Sequence, residues 1–137
     1  MEAFMAKLTE KQRSFVHDNP FPAVVTTLRK DGTPHSTIVW IDDVDGDLLF
    51  NTAEGRAKPR ELREDPRVSV TIVDPSDMYK WVSVSGRAEL STEGAREQID
   101  KLAKKYLGKD EYPWYQGEQR IDVRIKPEKI DSYGLDD

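Results

Sequence analysis

The stretch Leu48 to Val73, LLFNTAEGRAKPRELREDPRVSVTIV, decides how this chain is read. An apolar strand runs into a basic segment, the basic segment opens a helix, and a second strand rich in β-branched residues follows. Arg56, Lys58 and Arg60 fall at every second residue between Gly55 and the polar helix turn Glu61 to Glu64. Free backbone N–H groups at a helix start add to such charge. That combination suits a phosphate: guanidinium groups hold phosphate oxygens in a fork, an ammonium adds a mobile point charge, and the small Gly55 and Ala57 let an anion approach the backbone. The competing reading is a solvated, charged helix start whose cations pair with Glu54, Glu61 and Glu64.

Outward from this stretch the chain reads as short strands and turns. Upstream, Thr9 with Gln12 three residues on forms a capping box that opens a helix with Phe15 and Val16 facing inward. The helix ends near Asn19-Pro20. Pro22 to Leu28 is a strand, Asp31-Gly32 turns the chain, and TPHSTIVWID returns as one hairpin partner. Asp43 to Gly46 turns it again into a third strand, Asp47 to Thr52. Downstream, the helix after the basic segment ends before Asp65-Pro66, and the fourth strand is Arg67 to Val73. Asp74 to Lys80 reads as a loop and Trp81 to Leu90 as a fifth strand, in which Gly86 marks a bulge or a close backbone contact. With Thr92 as N-cap, Ala95, Ile99, Leu102, Ala103 and Tyr106 form one apolar stripe on a helix that stops at Gly108. The loop Lys109 to Gly117 carries Tyr112, Trp114 and Tyr115. Two strand segments, Arg120 to Lys126 and Lys129 to Tyr133, close the chain. Consecutive hairpins with three helices and no βαβ rhythm predict a mainly β, antiparallel barrel. A dinucleotide site of the G-x-G-x-x-G type has no counterpart here.

Composition narrows the chemistry. A length of 137 residues suits a single domain, 1–137, small enough that oligomerisation would help it. Twenty-six acidic against 21 basic residues, net −5, argue against a general nucleic-acid binder while leaving room for a local basic pocket. The absence of cysteine removes disulfides, thiolate nucleophiles and zinc-thiolate sites, and with two histidines no metal site is expected. The N-terminal MEAFMAKLTEKQ lacks an apolar core, so no signal peptide is expected, and no apolar run reaches membrane-spanning length. A cytoplasmic protein is the expectation.

Three motifs in order, FNTAEGRAKPRELREDPRVSV, VSVSGRAEL and RIDVRIKPEKI, resemble those of the pyridoxamine 5'-phosphate oxidase-like split β-barrel flavoproteins over nearly the whole chain. Within that superfamily, GRAKPREL and the DGTPHSTIVW hairpin strand look most like the branch of reductases that use the deazaflavin coenzyme F420. The resemblance implies a split β-barrel homodimer with two cofactor pockets in the grooves between barrels, each lined by both chains. By motif position, Arg56 and Lys58 match the pair that grips the cofactor phosphate, with Ala57 offering its backbone and Arg60 as an auxiliary. Asn51 and Thr52 match positions under the ribityl chain. His35, Thr37 and Val39 lie on the strand along which the ring is placed, and Tyr79 matches an aromatic position near the pocket.

Other readings of these residues stand beside this one. His35 next to a turn is an exposed hydrogen-bonding residue or a proton donor. Trp40 is barrel core or a dimer contact, and Trp114 and Tyr115 pave a substrate groove or cover a partner barrel. Arg120 and Arg124 share a strand face and reach a second protomer's cofactor, or pair with Asp122 or Glu118. No catalytic side chain is assigned, since no Ser-His-Asp, Cys-His or paired-carboxylate set is evident. Hydride transfer from a reduced deazaflavin to a small unsaturated substrate asks the protein only for position, dryness and charge. The alternatives are an FMN enzyme on the same phosphate cations and a non-catalytic flavin-type carrier. FMN members often have a hydroxyl residue directly before the Arg-Lys pair, where this chain has Gly55.

Overall fold

A computed structural model of the chain describes residues 6–135; residues 1–5, where the charged N-terminal segment begins, and 136–137 lie outside the described residues. The elements in order are α1 (Glu10–His17), β1 (Ala23–Leu28), β2 (Pro34–Val39), β3 (Asp42–Val44), β4 (Asp47–Ala53), α2 (Ala57–Glu64), β5 (Arg67–Asp74), β6 (Asp77–Ser91), α3 (Ala95–Leu107) and β7 (Arg120–Tyr133). All seven strands join one sheet in the order β2-β1-β5-β6-β7-β4-β3, and every pairing is antiparallel.

That order contains the reason for the barrel. β2 and β3 are the two edges of the sheet, yet only Trp40 and Ile41 separate them in sequence. Three steps of extended chain span roughly 10 Å, so the sheet must curl until its edges face each other. The result is a mainly β, antiparallel split barrel. The expected single strand TPHSTIVWID is therefore two strands on opposite edges. Its residues are strand formers throughout, and nothing local marks the crossing.

The inward faces of β5 and β6 alternate, Val68, Val70 and Ile72 against Val82 and Val84, and meet Leu48, Phe50, Ile121, Val123 and Ile125 in the core. β4 is covered on both faces, because α3 packs against it and β7 from outside. The capping box of α1 is present, with Thr9 and Gln12 bonding each other's backbone N–H groups. A different N-cap opens α3: Gly94 occupies the cap with φ +74°, and Thr92 instead accepts from Ala95 N–H through its carbonyl. The expected loop Asp74 to Lys80 is largely strand. Asp74 holds the N–H and hydroxyl of Ser76, which turns the chain between β5 and β6 within two residues. The last two segments are likewise one strand, running through Pro127, which stands opposite Gly86 where the register shifts and Glu128 of β7 is the extra residue.

Two anchors fix the split. Lys105 on α3 donates to the carbonyls of Val16 (2.5 Å) and Ile41 (2.7 Å), and the Tyr106 hydroxyl donates to Phe21 O (2.6 Å) while accepting from Ile41 N–H (3.1 Å). Burial pushes the Tyr106 hydroxyl up to about 12, so it stays a neutral donor. The end of α3 thereby pins the β2-to-β3 crossing and sets the position of Trp40.

Candidate functional site

The basic segment is more helical than its sequence suggests. Gly55 turns the chain with φ +88°, a conformation that strains other residues, and Arg56 is the N-cap of α2 with extended backbone. Ala57 and Lys58 therefore carry free N–H groups of the first turn, and Pro59, one residue on, has none to leave unpaired. Because the segment is helix, the two-residue spacing does not keep the three cations together. Arg56 and Lys58 line a cleft of about 270 Å³, whereas Arg60 lies exposed and is not part of its lining.

Two of the three carboxylates that would neutralise these cations are engaged elsewhere, and the third, Glu64, is exposed and pairs with neither Arg56 nor Lys58. Glu54 pairs with Arg63, and Glu61, almost fully buried, accepts from Thr27 Oγ1 (2.6 Å) and meets His35 Nδ1 at 3.1 Å. Burial pushes the Glu61 carboxyl up, but Thr27 and His35 outweigh it and hold it below its usual value. Among the described residues neither the Arg56 nor the Lys58 side chain takes a hydrogen-bond or ion-pair partner. The pairing of these two cations with Glu54, Glu61 and Glu64 is thus corrected. Burial, and then the neighbouring Arg56, lower the Lys58 pKa against the opposing pull of Glu61. Two cations held side by side, one partly desolvated, form a site that an anion relieves.

Val39, Asn51 and Thr52 join Arg56 and Lys58 in the cleft wall. Asn51 is not free to bind a ligand through its amide. It donates to Ala95 O (2.9 Å) and Asp122 Oδ1 (2.8 Å) and accepts from Arg120 Nε (2.9 Å), so its work is to orient Arg120. Ala57 is half-buried at the first helical position. His35 and Thr37 do not line the cleft within one chain: His35 is tied to Glu61, and the Thr37 hydroxyl is buried without a partner. Tyr79 stands 70% exposed on the β5–β6 hairpin, also outside this lining.

Several cleft residues were read differently or not at all from the sequence. Trp40 is a wall of the cleft, stacked on Tyr106 with ring centroids 5.5 Å apart. Tyr112 and Trp114 come from the α3–β7 loop to complete it, Tyr112 meeting Trp40 edge-on at 6.0 Å and Trp114 at 5.6 Å. Tyr115 instead lies under the Arg96 guanidinium at 3.9 Å. Arg120 pairs with Glu118 (2.8 Å) as one reading held, but it is a buried residue of the cleft rather than a surface charge. Arg124 bonds Asp47, not Asp122. The aromatic run at 112–115 was the one available signal for this wall; the partnership with Trp40, more than 70 positions away, had none.

A family model described as pyridoxamine 5'-phosphate oxidase matches residues 8–132. The chain belongs to the pyridoxamine 5'-phosphate oxidase family. Among solved structures, one titled F420 reductase is 22% identical with a TM-score of 0.76, covering 90% of this chain and 98% of that one. A conserved hypothetical protein from Mycobacterium tuberculosis is 23% identical with a TM-score of 0.75, covering 99% and 90%. General Stress Protein 26 from Bacillus anthracis is 21% identical with a TM-score of 0.67, covering 90% and 92%. At such identities the likeness is one of fold.

Proposed function

We propose that this family member is a single-domain, cytoplasmic oxidoreductase that binds coenzyme F420 and passes hydride from the reduced deazaflavin to a small unsaturated substrate. The observation that carries the reading is the pair Arg56 and Lys58, left without carboxylate partners at the start of α2 and facing the cleft. Their donor chemistry fits a phosphate, with the Ala57 and Lys58 N–H groups adding to it. The edge strand β2, with Val39, and the rings of Trp40, Tyr112 and Trp114 offer a flat apolar wall to a tricyclic ring. When bound, the deazaflavin supplies the hydride chemistry; the side chains hold it, shape the cleft and exclude water. No helix of the described residues is long and apolar enough to cross a membrane.

The reading includes a homodimer. The outer face of β2, β1, β5 and β6 carries, in cross-strand register, Ile38, Val24, Thr71 and Ser83 in one row and Ser36, Thr26, Ser69 and Ser85 in the next. In a chain whose residues are 34% charged, eight neighbouring positions without a charge form a surface suited to a second copy. Ile38 is 71% exposed and also lines the cleft, so a chain docked on this face adds a second wall to it. At about 270 Å³ the cleft of one chain is below the usual range for small-molecule pockets, which such a wall would remedy. Tyr79, His35 and Thr37 are then candidates for contacts that one chain alone does not make.

The test is a fluorescence titration of the purified protein with oxidised F420 and, separately, with FMN. Tighter F420 binding is expected, and Arg56→Glu with Lys58→Glu should weaken either cofactor by on the order of a hundredfold. An unchanged affinity in that double variant removes the phosphate assignment. A preference for FMN moves the protein to the flavin reading. Tight F420 binding with no turnover across unsaturated substrates leaves a carrier.

A further inference from the structure

Arg120 is the third cation of the cleft, and the resemblance assigned it no part in the phosphate grip. It opens β7 opposite Ala53, at the end of β4 that leads into Arg56, and is 2% exposed while still lining the cleft. Its Nε donates to Asn51 and one terminal nitrogen donates to Glu118, which leaves other donors of the guanidinium unassigned. Asn51 is itself held by Asp122 and the carbonyl of Ala95. The Tyr112 ring lies 5.1 Å from the guanidinium carbon, and Tyr112 in turn meets Trp40 and Trp114. A buried, oriented cation thus lies against the Tyr112 ring, and two further rings of the same cleft, Trp40 and Trp114, pack on Tyr112.

We propose that Arg120 binds a carboxylate carried on a flat conjugated ring, and that Glu118 is the internal anion it gives up when such a group arrives. The proposal deepens the reading above, since it takes the same cleft as a ligand site. Arginine stays charged at any working pH and, once buried, needs an anion beside it. Glu118 supplies that anion in the ligand-free chain, from a side chain a quarter exposed and held also by the N–H of Gln116 (2.8 Å). Exchanging it for a ligand carboxylate leaves the buried charge balanced, while Glu118 returns to water at little cost. Trp114, 59% exposed at the cleft, offers a large apolar surface that a planar ring would cover. A neutral ring lacks the group that can replace Glu118, and an aliphatic acid lacks the stacking, so both features are recognised together.

The full chain, labelled with nitrogen-15, tests this through its three tryptophan indole signals, assigned with Trp→Phe variants. Trp81, stacked on Tyr133 and outside the cleft's lining, serves as the internal control. Trans-cinnamate should shift the Trp40 and Trp114 signals, leave Trp81 in place and bind about tenfold more tightly than the isosteric trans-cinnamamide. Arg120→Gln should erase that preference. Glu118→Gln, which keeps the buried cation, should strengthen cinnamate binding severalfold. Arg56→Gln with Lys58→Gln should lose inorganic phosphate while keeping the preference for acid over amide, so a failure of the phosphate reading shows separately. Equal affinity for acid and amide in the unaltered protein overturns the proposal, as does a preference that survives Arg120→Gln in a variant with native near-ultraviolet circular dichroism. If Arg120→Gln does not fold, unchanged or weaker cinnamate binding in Glu118→Gln overturns it alone.

Discussion

Lys58 shows how one side chain's surroundings become a measurable property of the cleft. Partial burial and the adjacent Arg56 both disfavour its charged form, so it gives up its proton below the 10.5 of an ordinary lysine. A bound anion favours the ammonium and pulls that value back up, which means that binding takes up a proton once the pH exceeds the depressed pKa. Affinity for inorganic phosphate should therefore fall as pH rises through the alkaline range below the ordinary lysine value, where phosphate itself stays a dianion. Lys58→Arg removes the titrating group, and calorimetry across the range should find its affinity nearly flat. A decline of the same size in Lys58→Arg would place the titrating group elsewhere. Glu118 does not enter this range, being pushed down to about 2 by the Gln116 N–H and by Arg120.

Among the strands, β6 and β7 make the longest pairing, and one glycine permits it. A Cβ built on Gly86 would sit 2.0 Å from the carbonyl oxygen of Lys126 and 3.0 Å from Pro127 Cα, both backbone atoms that cannot swing aside. Its backbone is not in the left-handed region, so the requirement is one of space and not of φ. Gly86→Ala should cost about 1–3 kcal/mol through displaced backbone, read as a lower urea midpoint with an unchanged slope. A variant as stable as the parent would show that the bulge relaxes freely. This glycine was legible as a bulge or close contact, but its partner was not, because a proline in strand-forming sequence reads as an interruption. Across from Gly86, Pro127 occupies a place where the register shifts and the ladder continues on either side. The same limit hid the split of TPHSTIVWID, whose residues favour strand equally in β2, β3 and the crossing between them.

For the molecule as a whole, the decisive feature is the uncharged outer sheet face running from Ile38 to Ser83. Because Ile38 points outward and is 71% exposed, Ile38→Lys should leave the barrel folded, with native circular dichroism, while opposing burial of that face. The parent should sediment as a dimer and Ile38→Lys as a monomer with weakened cofactor binding. A parent that sediments as a monomer at micromolar concentration would leave the cleft to one chain. A variant that stays dimeric would move the interface elsewhere, with the Met78, Tyr79 and Tyr133 end of the β6–β7 region as the next apolar surface to examine.

Local pattern carried much of this protein. The Thr9–Gln12 capping box, the turn at Asp31-Gly32, the apolar stripe of α3 and the basic start of α2 each lie within a few residues of one another, and alternation or three-to-four spacing encodes them directly. What makes the candidate site depends on residues brought together by closure of the sheet. Arg56 and Lys58 are available because Glu61 is taken by Thr27 and His35 from β1 and β2, and Glu54 by Arg63. Arg120 is buried because Asn51 and Tyr112 arrive from β4 and the α3–β7 loop. Trp40 becomes a cleft wall because α3 pins the crossing behind it. Charge and propensity are properties of a residue and its near neighbours, whereas burial and pairing belong to contacts across tens of residues, which form only when the split barrel closes.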